Sequence, residues 1–253
     1  MKESLLKPFS IGIVIEDKKR DSDYVKVSPT EVLPLQNGTL NNQNEEMKLN
    51  LPDASGVKRL HKASKDNVIV ARWYPGDSTN RMTSPDVVAG ESVQLYRFAD
   101  TDEYYWRTMF REPSLRRLET LNIAIGGLAE GGESFDKNSS YFAEMSSHDK
   151  HILLQTSIAN GEICGYQIKL DMALGKLSIL DTNGNNVILD TNNNSININA
   201  LESINLKTPK FILESPEIIL KGNVKIEGTL HASQNISTDA SVNAVAEVHG
   251  SNI

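Results

Sequence analysis

The chain has 253 residues, of which 39% are hydrophobic and 6% aromatic, so its apolar content is thin for a globular enzyme of this length. The formal net charge of −7 argues against nucleic acid as the main partner. The single cysteine, Cys164, excludes an internal disulfide framework and a cysteine-rich metal cluster, and it is interpreted as a half-buried strand residue. Because no apolar run approaches the roughly 20 residues that span a bilayer and the N-terminus lacks a secretory signal, we expect a protein soluble where it is made.

Residues 1–111 predict a small β barrel. Asn37-Gly38 is a hairpin signal, and residues 41–67 are polar and irregular, which predicts a loop. About five short strands over this length suit a small barrel, for which the OB fold is the best candidate. The strands are predicted around Ile11–Ile15, Tyr24–Ser28, Val68–Trp73 and Gly90–Tyr96.

An acidic run, Asp100–Glu103, comes next and is followed by the aromatic residues Tyr104–Trp106. We interpret the run as the tip of a hairpin that leads into an aromatic strand. It has neither the glycine nor the later glutamate of a calcium loop. A carboxylate pair for metal binding or acid–base chemistry is the alternative.

Residues 112–150 predict a connecting helix and a linker. The helix is expected from Pro113 to Ile125, because proline is tolerated at a helix N-terminus and Gly126-Gly127 supplies a stop. Residues 126–140 are rich in glycine and serine, which is typical of a linker. The helix would bury one apolar face at a domain or subunit junction, formed by Leu115, Leu118, Leu121 and Ile125.

A periodic strand pattern occupies residues 151–228. Pairs of apolar residues separated by one residue recur every six to ten residues, with Asn, Gly, Pro, Ser and Thr between them. The Asn-rich runs at 183–186 and 190–194 are interpreted as plain turns rather than calcium loops. The pairs are Leu177/Ile179, Val187/Leu189, Ile196/Ile198, Ile204/Leu206, Phe211/Leu213, Ile218/Leu220 and Val224/Ile226.

Such a repeat predicts a trimeric rod. One chain of short strands would leave edges with unpaired backbone groups, and two or three apolar residues per strand are too few for a single-chain core. Three chains wound about a common axis pair the strands and bring the alternate apolar residues together. We therefore expect an all-β homotrimer with an intertwined β-helix or β-prism at residues 151–228. Residues 229–253, which are mostly small, would form a tapering tip.

This order of parts resembles the central spike of contractile phage tails, to which the VgrG-like spikes of type VI secretion systems are related. The resemblance is carried by the barrel strands around Ile11–Val27, Val68–Trp73 and Val93–Phe98 and by the repeat from Leu177 to Glu227. It implies a homotrimer seated on a baseplate hub protein in the virion. Its rod would be driven through the host outer membrane by tail contraction.

Two departures from that family bear on chemistry. Residues 112–150 are too few for the lysozyme domain that some spikes carry, so no hydrolysis and no enzyme activity are expected. The chain has His231 and His249 but no His-x-His pair of the kind that binds an apical metal ion in other spikes. Three copies of His249 around the axis could still hold one metal ion. A frayed terminal histidine, or a separate tip-capping protein, is the alternative, and no other cofactor is expected.

Three competing functions remain at this point. An enzyme would have to use His148–His151, which is the densest cluster of candidate catalytic groups, but no known catalytic motif accompanies it. An OB-type binding module for sugar or nucleic acid would need aromatic residues interleaved with basic ones, and Tyr104–Arg111 comes closest. A trimeric receptor-binding tail fibre would also use this kind of β-structure, although a head rather than a small, weakly charged terminus is expected there.

Overall fold

The computed structural model describes residues 4–31, 46–52, 57–64, 67–76, 79–109, 118–126, 136–159 and 161–241. These residues form β-strands and short 3₁₀ turns without an α-helix, so the described chain is all-β, as predicted. The chain divides into two units, Met1–Ile204 and Asn205–Ile253. The strands are β1 (Leu6–Val14), β2 (Tyr24–Pro29), β3 (Glu46–Pro52), β4 (Lys58–Ser64), β5 (Ile69–Trp73), β6 (Ser92–Phe98), β7 (Tyr104–Thr108), β8 (Thr120–Gly126), β9 (Ser140–Ser146), β10 (His151–Gln155), β11 (Tyr166–Asp171), β12 (Lys176–Asp181), β13 (Asn186–Asp190) and β14 (Ser195–Asn199).

Five strands close into the predicted barrel, in the order β1-β2-β5-β7-β6. Neighbouring strands are antiparallel except β5 and β7, which are parallel. Trp106 is fully buried, and its indole Nε1 donates a hydrogen bond to the Asp23 carbonyl at 2.9 Å. At Gly12 a Cβ atom would lie 2.2 Å from Val27 Cγ1, so a side chain there would displace the core. The core consists of Val14, Val25, Val27, Ile69, Ala71, Val87, Val93, Leu95, Tyr104 and Trp106.

A hairpin of β3 and β4 occupies part of the predicted loop at 41–67, so the loop prediction is wrong there. The two strands pair in antiparallel register, with Asn50 opposite Leu60, and they form a sheet separate from the barrel. Of the two strands only β3 has apolar residues at alternate positions, Met47, Leu49 and Leu51, whereas β4 is mixed on both sides, so the pair gave no clear strand pattern. The predicted turn at Asn37-Gly38 lies outside the described residues.

The other seven strands form one antiparallel sheet in the order β14-β13-β12-β11-β10-β9-β8, so each strand pairs with its neighbours in sequence. Beside the edge strand β8, the Ala124 amide donates to the Asn80 carbonyl at 2.9 Å, and the Met82 amide donates to the Asn122 carbonyl at 2.8 Å. The segment between β5 and β6 thus covers an edge that would otherwise offer backbone groups to other chains.

The predicted helix at 113–125 is wrong wherever the structure describes it. Thr120–Gly126 is strand β8, paired with β9 from Leu121 opposite Met145 to Ile125 opposite Tyr141. The apolar residues of this stretch fit a helical spacing and a strand alternation equally well. Pairing along β9 then decided the outcome. β9 also replaces part of the predicted linker, and residues 113–117 lie outside the described residues.

Aspartates cap the turns of the sheet, as the turn interpretation of the Asn-rich runs predicted. Asp181 Oδ1 accepts hydrogen bonds from the amides of Asn183 and Asn185, both at 2.9 Å. Asp190 Oδ1 accepts from the Asn193 amide at 3.1 Å, and Asp171 Oδ1 accepts from the Leu174 amide at 2.9 Å. Each aspartate ends a strand, so its carboxylate fixes the turn that reverses the chain.

Acid is expected to weaken these turns. The pKa of Asp181 lies below its usual range, chiefly because the Asn185 amide group donates to the carboxylate. The hydrogen bond from the Asn193 side chain lowers the pKa of Asp190 in the same way. Because these pKa values are lower in the folded chain, the ionised carboxylates stabilise the sheet at pH values above the unfolded pKa of about 4. This stabilisation is lost as the pH falls through the folded-state pKa. The melting temperature should therefore fall below about pH 4.

This acid effect can be assigned with Asp181→Asn. The asparagine oxygen can still accept the turn amides, but the side chain no longer titrates. The loss of melting temperature between pH 5 and pH 3 should be smaller in this variant than in the wild type, measured by circular dichroism. Equal losses would show that the acid sensitivity arises elsewhere.

Candidate assembly interface

One face of the seven-stranded sheet carries two unbroken ladders of apolar side chains, because directly paired residues lie on the same face of a sheet. The first ladder runs through Leu121, Met145, Ile152, Leu170, Leu177, Leu189 and Ile196. The second runs through Ile123, Ala143, Leu154, Ile168, Ile179, Val187 and Ile198. With about 4.8 Å between neighbouring strands, each ladder is about 29 Å long.

The ladders are exposed to solvent in the single chain. Eleven of the fourteen side chains are between 36% and 68% exposed, from Leu177 at the low end to Ile196 at the high end. A contiguous apolar surface of this extent marks an interaction site rather than ordinary surface. Covering the exposed half of each aliphatic side chain would contribute about 1 kcal/mol.

The opposite face of the sheet is mostly polar. In one row of directly paired residues, basic and acidic side chains alternate: His151, Asp171, Lys176 and Asp190. Lys176 Nζ lies 3.2 Å from Asp190 Oδ2, and Lys169 Nζ lies 2.8 Å from Asp171 Oδ2. Within β8–β10 this face also holds a small buried cluster of Ala124, Phe142 and Leu153. The two ladders are therefore the more exposed face of the sheet and the one that offers apolar side chains to a partner.

The second unit makes no sheet of its own among the described residues. From 206 to 241 every residue is exposed, and no hydrogen bond joins two backbone groups of this described segment. Its apolar side chains are exposed at least as strongly as most of those in the ladders, including Phe211 at 63% and Leu220 at 68%. A segment that presents both apolar side chains and backbone donors and acceptors is suited to pairing with other chains.

Two local turns of the same kind lie seven residues apart in this segment. The Thr208 hydroxyl contacts both backbone groups of Lys210, and seven residues later the Ser215 hydroxyl contacts both backbone groups of Glu217. A proline follows each hydroxyl residue and cannot donate a ladder hydrogen bond. The strands that the sequence repeat predicted between Ile204 and Ile226 are not formed among the described residues.

The candidate catalytic cluster at His148–His151 forms contacts between the barrel and the sheet. His148 Nε2 lies 2.9 Å from Asp86 Oδ2, and the other oxygen of Asp86 lies 2.9 Å from Lys18 Nζ. Arg20 forms a bidentate pair with Asp149, and this contact holds the pKa of that carboxyl below its usual range. His148 and Asp149 thus join the β9–β10 turn to barrel loops, whereas His151 Nε2 contacts Glu144 Oε1 within the sheet.

The other sequence candidates lie apart from one another. Asp100–Glu103 is the turn between β6 and β7, as the hairpin interpretation predicted. Cys164 is half-buried but precedes β11, so its predicted place in a strand is wrong. His231 is exposed in the second unit, and His249 lies outside the described residues. Within the described ranges, no three His, Cys, Asp or Glu residues are grouped to hold a metal ion.

The sequence prediction missed the first two strands of the apolar face. The strand region was predicted from residue 151, yet the ladders begin at β8, inside the predicted helix and linker. The signal was present as alternation in Leu121, Ile123 and Ile125 and again in Tyr141, Ala143 and Met145.

No helix formed by the described residues is long and apolar enough to cross a membrane. Comparison of the sequence with known protein families gives no match, and no curated protein matches it.

Proposed function

We propose that this chain is the homotrimeric central spike of a contractile-tail baseplate, which is driven through the host outer membrane when the tail contracts. The observation that carries the proposal is the pair of unbroken apolar ladders on β8–β14, because they require a partner surface of equal length. Further copies of the same chain supply such a surface without any other protein.

The barrel supports the spike assignment through its topology. Numbered along the chain, its strands are neighbours in the order first, second, third, fifth, fourth, with the third and fifth parallel. That is the arrangement expected of an OB fold, with the β3–β4 hairpin inserted between the second and third barrel strands. The barrel would seat the spike on a baseplate hub protein, in the virion.

Three sheets around one axis would bury the ladders of all three copies in a triangular core. Residues 206–241 would continue as an intertwined β-helix, in which each short strand pairs with strands of the other two chains. Every backbone group would then have a partner, and the rod would have no open edge. The tip would end near His249, where either one metal ion or a separate capping protein completes the point.

The mechanism is the delivery of force without bond chemistry. A compressive load applied at the barrel would pass into the sheet through contacts such as Arg20–Asp149 and His148–Asp86. The continuous strand ladders of a trimer would resist bending, because local opening would break hydrogen bonds and apolar contacts in three chains together. A rod of this kind penetrates a bilayer by being stiffer than the membrane.

Copy number and native mass test the proposal. The purified protein should have three times the 28.0 kDa mass of one chain by light scattering. Contractile-tail particles that contain it should hold three copies each by quantitative mass spectrometry, and immunogold should label the tail axis. A monomer would contradict the trimer. A trimer present in many copies at the periphery would identify a receptor-binding fibre instead of the spike.

A further inference from the structure

The β3–β4 hairpin is a basic element in an acidic protein. Across its described strands, Lys48, Lys58, Arg59 and Lys62 stand against one acidic residue, Glu46, whereas the whole chain carries −7. Lys48 lies directly opposite Lys62 in the register. Both side chains are exposed, so the hairpin presents positive charge at its surface.

The hairpin also needs support beyond its own hydrogen bonds. A two-stranded sheet is only marginally stable in water, and this one is joined to neither the barrel nor the seven-stranded sheet. It carries exposed apolar side chains, with Val57 56% and Leu60 58% exposed. A basic hairpin with apolar residues among its charges is suited to docking on an acidic protein surface.

The position of the hairpin follows from the barrel topology. It enters between the end of β2 and the start of β5, at the barrel end where β1 begins. The β6–β7 turn lies at the same end, because Leu6 at the start of β1 pairs with Phe98 at the end of β6. The opposite end of the barrel contacts the sheet through Arg20 and Asp149.

That β6–β7 turn is acidic. Asp100, Asp102 and Glu103 are all exposed, and the turn is held in shape by the Arg97 side chain, whose Nε donates to the Thr101 carbonyl at 2.6 Å. The hairpin leaves the barrel between β2 and β5, and the acidic turn joins β7 to β6. Strands β5 and β7 lie between these two places in the closed ring. The basic hairpin and the acidic turn therefore leave different sides of the same rim.

We propose that, in the homotrimer of the proposed function on which this inference rests, the β3–β4 hairpin of each chain docks on the acidic β6–β7 turn of the next chain. Two different complementary patches on one rim are what a head-to-tail ring requires, and a threefold rotation closes it. Such a clasp would lock the barrels together at the end away from the sheet. The patches would then set the direction in which the chains succeed one another around the axis.

Carbodiimide coupling of the full-length protein tests this contact, because it joins a lysine directly to a carboxylate that touches it. Unlabelled and ¹⁵N-labelled chains are mixed by co-refolding before coupling. We expect peptides that link Lys58 or Lys62 to the 100–103 turn, with mixed-isotope pairs showing that the link is between chains. Reversing the turn with Asp100→Lys and Asp102→Lys should reduce the yield at least tenfold.

The combined variant, in which Lys48→Glu and Lys62→Glu are added to the reversed turn, should restore the coupling because the charges are again opposite. Links found only within one isotope, or an unchanged yield after one-sided reversal, would overturn the clasp. Native mass is measured on the same samples. A trimer without the links refutes the clasp alone, whereas a monomer refutes the proposed function together with it.

Discussion

Ile179→Glu is expected to convert the assembly into single chains. Ile179 lies in the second ladder next to its central residue, paired with Ile168 on one side and Val187 on the other, and it is 43% exposed in the isolated chain. In the trimer its copies would face the axis. Burying an ionised carboxylate there costs several kcal/mol, and the lost aliphatic contact adds about 1–2 kcal/mol. The dissociation constant should therefore rise at least roughly a thousandfold.

Ser178→Glu is the matched control for this variant. The two residues are adjacent in β12 and point to opposite faces, so the same new side chain enters the same strand. At position 178 the glutamate faces Lys169 across the strand pair, which is a favourable pairing. Light scattering should give a monomer for Ile179→Glu and an unchanged trimer for Ser178→Glu. If both variants remain trimeric, the ladders do not form the interface.

The fold was predictable where strand patterning and local turns agree. β12 to β14 are separated by turns of a few residues with aspartate caps, so the apolar pairs that marked the repeat became neighbouring hairpins. The barrel strands were recognised from their alternation, although most of their partners are distant in sequence. In these stretches the residues that decide the structure lie next to each other in sequence.

The prediction failed where partners distant in sequence decide the structure. Leu118, Leu121 and Ile125 fit a helical spacing, while Leu121, Ile123 and Ile125 fit a strand alternation, so the local pattern supports both structures. The hydrogen bonds to β9 and to Asn80 make the difference. The hairpin β3–β4 was missed because its lysines resemble those of a polar loop. Polar residues are common on strands that offer one side to solvent or to another protein.

The character of the repeat also changes in the sequence, at about Leu201. Before it, strands of five or six residues are long enough to form antiparallel hairpins. After it, the apolar segments shorten to about three residues, and Pro209 and Pro216 interrupt the donors between them. Segments this short cannot hold a hairpin of their own, and the described chain forms no strand after Asn199. Pairing with other chains in this segment is part of the proposed trimer.

Hydrogen exchange is expected to show strong protection in the segment that makes no backbone pairs of its own. In the assembled protein, amides of Phe211–Leu213 and Ile218–Leu220 should exchange at least roughly a thousandfold more slowly than in an unfolded peptide, because opening them would require separation of chains. For a lone chain with the described structure, these exposed amides would exchange within seconds. The two outcomes differ by orders of magnitude and are read from peptides covering 206–230.

The monomeric Ile179→Glu variant supplies the reference for this measurement. Its substitution lies in the first unit, so any loss of protection at 211–220 reports the loss of the partner chains rather than a change in the segment itself. The amides of β12, which pair within the chain, should keep more of their protection in the variant. Fast exchange at 211–220 in a protein of confirmed trimeric mass would restrict the interface to the seven-stranded sheet. The intertwined rod would then be wrong, because strands that pair between chains cannot leave their amides open to water.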